Sequence, residues 1–285
     1  MIGDSIKKSA QLRELLTSEK TLVMPDAYDP ISARIIEHAG FKAVQCSGYS
    51  MSIAACYQSE AELSVTENVA ITHKIATSVN VPVMADGEDG YGDPEAVRHT
   101  IREFINAGVA GINIEDLIPS RTGGCRIVES ELMVEKLIAA REAAVAEGNP
   151  DLIINARTDA LRAFSTRSDG LKEGVMRANR YLEAGADLAF ICYTATLDEV
   201  KTLAREICGP ISIAAGQPYN IREFTVEDLR EQGVARVSLP TLAIMSAIHG
   251  VAAAVSLISE RDGFHRIAED GLCCSWDELS ALLRW

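Results

Sequence analysis

Asp86, Glu88, Glu115 and Arg157 stand out by position: each closes, or follows by a residue or two, a short apolar run, namely Pro82–Asp86, Gly111–Asp116 and Leu152–Arg157. Carboxylate oxygens are hard ligands, and three at neighbouring run ends suit Mg2+ (Mn2+ as the alternative) that keeps several waters and takes an oxyanionic substrate. A guanidinium facing them grips a carboxylate or phosphonate as a bidentate fork. The plainer reading is that such acids cap helices or pair with Arg98, Arg102 or Lys136. That suffices for one acid. Three acids and an arginine at successive run ends have no common structural need.

The elements that must position these groups alternate regularly. The short apolar runs Thr21–Ala27, Ala43–Ser47, Pro82–Asp86, Gly111–Asp116, Leu152–Arg157, Leu188–Tyr193, Ile211–Ala215 and Arg236–Leu239 read as strands, each followed by an amphipathic stretch. In Pro94–Ala107, Val97, Ile101, Phe104 and Ile105 recur on one helical face. Asp93-Pro94 is a helix start, and Ala39-Gly40, Ala107-Gly108, Ala184-Gly185 and Gln232-Gly233 are helix stops. Eight β-α units with non-alternating strands predict a closed parallel barrel, the α/β class (β/α)8 TIM barrel. An open doubly wound sheet is the rival, but no G-x-G-x-x-G follows any strand. The predicted organisation is a barrel over 1–263 and a helical appendage over 264–285. There Ser275 caps a short helix carrying Trp276, Leu279, Leu282 and Leu283, packed on this chain or on a partner.

In such a barrel the strand C-termini carry the chemistry. Those ends supply Asp26, Ser47-Gly48-Tyr49, Asp86 to Asp89, Glu115-Asp116, Arg157 to Asp159, Tyr193 and Gln217.

The chain has 285 residues with 27 Lys and Arg against 41 Asp and Glu, a formal charge of −14, which argues against a general nucleic-acid binder. No targeting segment is expected from the charged N-terminus. The apolar stretch Leu242–Ile258 reads as a buried helix rather than a membrane span. Seven cysteines without C-x-x-C spacing give neither a zinc site nor a disulfide framework, so the expected compartment is the cytoplasm. Cys46, Cys56, Cys192 and Cys208 sit in apolar runs and are expected to be small core residues.

Ala85-Asp86-Gly87-Glu88-Asp89-Gly90-Tyr91-Gly92 resembles the metal-binding D-x-D/E-x-G-Y-G stretch of the isocitrate lyase/phosphoenolpyruvate mutase superfamily. Ala27 to Arg34, Ser47-Gly48, Gly111 to Asp116 and Asn155 to Asp159 resemble further motifs of that family, in order, across about residues 10 to 260. The resemblance implies a Mg2+-dependent barrel enzyme acting on small 2-oxo or 2-hydroxy carboxylates. Its members make or break C–C bonds, or cleave or rearrange P–C bonds, commonly as tetramers that exchange C-terminal helices. It implies Asp86 as metal ligand, with Glu88 and Glu115 bound directly or through water. Ser47, Gly48 and Tyr49 would hold the substrate's carboxylate and oxo group, Asp26 and Tyr91 would complete the substrate-facing set, and Arg157 would stabilise the developing enolate.

The loop after the fourth strand departs from the family's K-K/R-C-G-H lyase pattern. It offers Cys125 two positions late and no histidine, and an alignment on Pro119 puts Thr122 where phosphonate enzymes carry Asn or Thr. Both are candidate catalytic residues, with Arg121 and Arg126 expected to lower the Cys125 pKa. Ser59 falls at an expected aspartate, with Glu60 beside it, and Cys192-Tyr193 replaces a glutamate at the sixth strand end. The leading expectation is a Mg2+-dependent lyase of a 2-hydroxy dicarboxylate. The alternatives are a phosphonopyruvate-type mutase or hydrolase, a decarboxylase or hydrolase of oxaloacetate type, and a non-catalytic oxo-acid binder. The expected partners are a small carboxylate or phosphonate and further copies of the chain, with no nucleic acid and no membrane.

Overall fold

Short runs of β-branched and small apolar residues are buried on both faces, and so become the inner wall of a closed sheet. The computed structural model describes residues 2–120, 124–216, 219–259 and 263–283. After helix α1 (Ile2–Ser18) come β1 (Leu22–Ala27), α2 (Pro30–His38), β2 (Val44–Cys46), α3 (Gly48–Ala54), α4 (Val65–Ser78), β3 (Val83–Asp86), α5 (Pro94–Ala107) and β4 (Gly111–Glu115). There follow α6 (Ser130–Ala146), β5 (Ile153–Thr158), α7 (Ala160–Ala163), α8 (Arg167–Glu183), β6 (Leu188–Ile191), α9 (Leu197–Glu206), β7 (Ile211–Ala214), α10 (Val226–Glu231) and β8 (Arg236–Leu239). The chain closes with α11 (Leu242–Ser259), α12 (Gly263–Glu269) and α13 (Trp276–Leu283). The strands pair in parallel in chain order, and β8 returns to β1 with Leu22 opposite Arg236, so the fold is the (β/α)8 TIM barrel.

The helix signals are realised locally. Asp93 accepts from the Glu95 and Ala96 amides at 3.1 and 2.9 Å, and Val97, Ile101, Phe104 and Ile105 of α5 are buried. Gly108 ends α5 at φ +94°, a left-handed turn that a side chain would strain.

The barrel interior is layered, and the layering decides where a ligand can sit. Leu12 of α1 packs with Leu22, Met24, Met84, Ile153 and Leu188 into an apolar floor. The helix itself is tied down by Lys8, which donates to the Ala76 and Val79 carbonyls at the end of α4 (3.1 and 2.9 Å). Sequence periodicity did not single α1 out, because the residues it buries include Ser5, Lys8 and Ser9. Above the floor lies a polar layer. Asn155 Nδ2 donates to Asn113 Oδ1 (2.8 Å), and the fully buried Arg236 donates to Ser212 Oγ (2.7 Å) and Gln45 Oε1. Register then sets Asp86 beside Asn113 and Glu115 beside Arg157, at the top.

Two expectations fail. Helix α11 was expected to be buried, but only Ile244 and Leu257 are. Leu242, Met245, Ile248, Val251, Val255 and Ile258 form an exposed stripe, with Val251 64% exposed. By length and composition alone α11 could cross a membrane. Composition reports that a helix is apolar, not what covers it, and a core helix and an interface helix read alike. Cys46 and Cys192 are buried as expected, whereas Cys56 and Cys208 are exposed: both sit just past helix ends, where the chain turns outward. In α13 the Ser275 cap is present, its Oγ accepting from the Glu278 amide at 3.2 Å, but Trp276 is 82% exposed.

Candidate active site

Strand β3 ends in Asp86, and the following turn folds back on β4. The Gly87 amide donates to Asn113 O and the Glu115 amide to Glu88 O, both at 2.9 Å. That turn forces Glu88 and Tyr91 to φ +50° and +60°, a left-handed backbone that is uncommon for side chains of this size. Glu88 thereby folds over Gly48 at the start of α3. A Cβ at residue 48 would overlap Glu88 Oε1, so only glycine lets the carboxylate approach. The Gly48 amide donates to Asp86 Oδ2 at 3.0 Å.

Asp86 Oδ1 and Glu88 Oε1 are buried and accept no hydrogen bond, and Glu115 Oε2 has only an ion contact to Arg157. Carboxylate oxygens removed from water without a donor are costly. Burial, reinforced by the charge of Asp86, pushes the Glu88 carboxyl well above the usual range; burial does the same for Glu115, against the pull of Arg157. None of the three turns to Arg98 or Arg102, which pair with Glu142 and Glu147. Lys136 goes to the Asp89 carbonyl (2.7 Å). The helix-capping and surface-pairing alternative therefore does not account for these acids. Among the described residues no three His, Cys, Asp or Glu side chains could hold a metal ion by themselves.

Arg157 faces the acids. Its Nη1 lies 2.7 Å from Glu115 Oε2, and its Nε and Nη2 reach the two oxygens of Asp159 at 2.8 and 3.2 Å. Burial opposes its charge, but Asp159 and Glu115 outweigh that and hold its pKa well above the ordinary value. Behind Asp159 stands Asp116, wholly buried. Its Oδ1 accepts from the Asp159 amide (3.0 Å), and its Oδ2 from Arg177 (3.0 Å) and Tyr181 (2.9 Å) of α8. Arg177 also donates to Val128 O (2.8 Å), so one buried network holds β5, α8 and the end of the loop after β4.

A cavity of about 270 Å³ opens beside these groups, lined by Glu60, Glu88, Tyr91, Glu115, Pro119 and Arg162 among others. Ser59 caps the short turn Glu60–Glu62 and donates to Ser120 O (3.3 Å), and both it and Glu60 line the cavity. Burial pushes the Glu60 carboxyl up to about 7, against the pull of Arg157.

Of the remaining candidates, Ser47 Oγ accepts from the Ser50 amide (3.2 Å) as the cap of α3, and Tyr49 is half exposed. Asp26 is buried and accepts from the Leu239 amide (3.0 Å), and Tyr91 OH accepts from Asn68 Nδ2 (2.8 Å). Cys125 is half-buried with Sγ 3.9 Å from Asp159 O. The expectation that its pKa is lowered is reversed: burial and Asp159 raise it, against the pull of Arg162 and Arg157. Thr122, Arg121 and Gln217 lie outside the described residues. Sequence reasoning missed the Arg177–Tyr181 support, whose only signal is a polar pair at i, i+4 within α8, and it missed Arg162 entirely.

The sequence model of the family described as phosphoenolpyruvate phosphomutase matches residues 12–259. The chain is 39% identical over 206 residues to the 2,3-dimethylmalate lyase of Eubacterium barkeri, covering 70% of this chain and 68% of that one. It is 32% identical over 241 residues to the 2-methylisocitrate lyase of Aeropyrum pernix, covering 83% and 75%. A crystal structure of phosphonopyruvate hydrolase with oxalate and Mg2+ superposes with a TM-score of 0.80 at 27% identity, over 96% of this chain and 94% of that one.

Proposed function

The chain belongs to the phosphoenolpyruvate phosphomutase family of the phosphoenolpyruvate mutase/isocitrate lyase superfamily, and from that premise we propose that it is a Mg2+-dependent lyase of a small 2-hydroxy dicarboxylate. One observation carries the reading: Asp86 and Glu88 present buried oxygens that accept no hydrogen bond, beside Glu115, whose Oε2 has only its ion contact with Arg157. A cation that keeps its own waters fits this set, because Mg2+ usually binds protein through only one or two carboxylates. Asp86 would hold it directly, with Glu88 and Glu115 reaching it through water. When bound, the ion would polarise the substrate's 2-oxygen and carboxylate.

The chain's own groups do the rest. In the cleavage direction a base takes the proton from the C2 hydroxyl, the C2–C3 bond breaks, and its electron pair passes into the departing carboxylate fragment as an enolate. Arg157, kept charged by Asp159 and Glu115, faces the position where that negative charge grows. Cys125 then donates a proton to C3: its raised pKa keeps the thiol protonated, which suits a donor rather than a nucleophile. The products are a 2-oxo acid and a saturated carboxylic acid.

The test is turnover of 2,3-dimethylmalate, 2-methylisocitrate, oxaloacetate and phosphonopyruvate with and without Mg2+. Pyruvate is followed by a coupled assay and phosphorus species by NMR. Mg2+-dependent pyruvate from one of the first two supports the lyase reading. A new phosphorus signal from phosphonopyruvate alone replaces it with P–C chemistry, the reading favoured by the missing loop histidine and the likeness to phosphonopyruvate hydrolase. No turnover with intact oxalate binding points to an oxo-acid binder.

The apolar stripe of α11 supports assembly as a homo-oligomer, in the proposed form a tetramer with C-terminal helices exchanged between subunits. A largely apolar groove of about 390 Å³ runs beside the stripe between α2 and α11, lined by Ile31, Ile35, Phe41, Leu242 and Ala243 among others. A stripe this long on a free subunit marks an interface. Val251→Glu with Val255→Glu is expected to lower the particle mass to that of the monomer in light scattering. An unchanged mass would mean that the stripe is not the subunit contact.

A further inference from the structure

Seven residues into the segment that follows β5's Asn155, a second arginine stands at the mouth of the same cavity. Arg162 lines it alongside Glu60 and Glu115. Its Nη1 donates to Tyr193 OH at 2.6 Å, and its guanidinium carbon lies 4.4 Å from the centre of the Tyr193 ring, a cation–π distance. Tyr193 is itself fixed. It adopts φ +64°, its carbonyl accepts from Arg167, and Arg167 is paired with Glu199 at 2.6 Å. Its ring packs against Tyr219, with centroids 4.9 Å apart. A bulky residue held in a left-handed backbone by surrounding contacts is the kind of strain found at ligand clamps.

Arg157 and Arg167 on either side are both paired with carboxylates, whereas Arg162 has no ion pair among the described residues. Among the described residues only its Nη1 is hydrogen-bonded, which leaves the Nε–Nη2 edge, the fork that matches a carboxylate, to a ligand. Glu60 and Asp159 are the acids nearby, but Asp159 is gripped by Arg157. The competing account is that Arg162 only balances the charge of Glu60.

We propose that Arg162, propped on Tyr193, is a specificity-determining residue that binds a second anionic group on the substrate. The ligand class is a 2-oxo or 2-hydroxy acid bearing another anion beyond its oxo carbon, a carboxylate in the lyase reading. This rests on the proposed function for the position of the acid head, which Arg157 and the three acids hold. A phosphonate on the same carbon would present related chemistry, and the test separates the two.

The experiment measures binding to the Mg2+-loaded protein by calorimetry. Three probes are used: oxalate, which fills only the head subsite, 3,3-difluorooxaloacetate, which adds a distal carboxylate, and phosphonopyruvate, which adds a phosphonate. Arg162→Met is expected to weaken difluorooxaloacetate by about 10- to 100-fold, the worth of a charge-assisted hydrogen bond, while oxalate stays within about twofold. Arg162→Lys should restore part of the loss. Tyr193→Phe, which keeps the ring and removes the hydroxyl, should weaken difluorooxaloacetate by a smaller factor and serves if Arg162→Met does not fold. A larger effect on phosphonopyruvate than on difluorooxaloacetate would assign the subsite to phosphonates and overturn the carboxylate assignment. Unchanged difluorooxaloacetate binding, or an equal loss for oxalate, would overturn the inference and leave the proposed function standing. If the unaltered protein fails to bind oxalate with Mg2+, the proposed function fails, whatever Arg162 does.

Discussion

Asp86→Asn is expected to reduce Mg2+-dependent turnover by about a thousandfold or more, the scale on which removing one preorganised electrostatic group acts. Asparagine keeps the shape, and its side-chain oxygen can still accept from the Gly48 amide, so the α3 start should survive. What disappears is the negative charge at Asp86 Oδ1, one of the buried oxygens without a donor. Stability gives a second readout. A ligand that binds only the folded chain at a hundred times its dissociation constant stabilises it by about 2.7 kcal/mol. Mg2+ should therefore raise the melting temperature of the natural chain and not that of the variant. Equal activity and equal thermal shifts would remove Asp86 from the metal-binding role.

The second large effect falls on folding. Asp116→Ala removes one acceptor from three buried donors at once: the Asp159 amide, Arg177 and the Tyr181 hydroxyl. The orphaned donors, with the buried Arg177 charge left to Glu173 alone (2.7 Å), are expected to cost about 3 kcal/mol in urea unfolding. The pair itself is not a large net stabiliser. Burial raises the pKa of Asp116 despite its donors, so the ionised form bears a desolvation cost. The double variant Asp116→Leu with Arg177→Met should accordingly lose less than Asp116→Ala alone. If Asp116→Ala unfolds within about 1 kcal/mol of the natural chain, the network does not hold the Arg157 side of the site as described.

The barrel was legible because its strands are buried on both faces and its helices on one, which are the two periodicities a sequence displays most openly. Asp86, Glu88, Glu115 and Arg157 were legible for a related reason: once strand ends are located, a closed barrel forces them to one rim. Other features depend on distance in space. Glu60 and Arg162 lie in a short turn and a short helix whose aim is set by packing, and neither spacing nor composition records it. The Cys125 shift reversed because the fold half-buries the thiol and sets it beside Asp159, 34 positions on, whereas the chain shows only Arg126 next to it. Helix α11 misled because composition records that a helix is apolar and not whether its own chain covers it.

The most direct measurement is an anomalous diffraction map from crystals grown with Mn2+ and oxalate. The metal-site assignment requires one peak at the barrel mouth, within about 2.0–2.3 Å of an Asp86 oxygen, with Glu88 and Glu115 on its water shell and Arg157 on the oxalate. A map with no peak there, and oxalate absent or bound elsewhere, would contradict it.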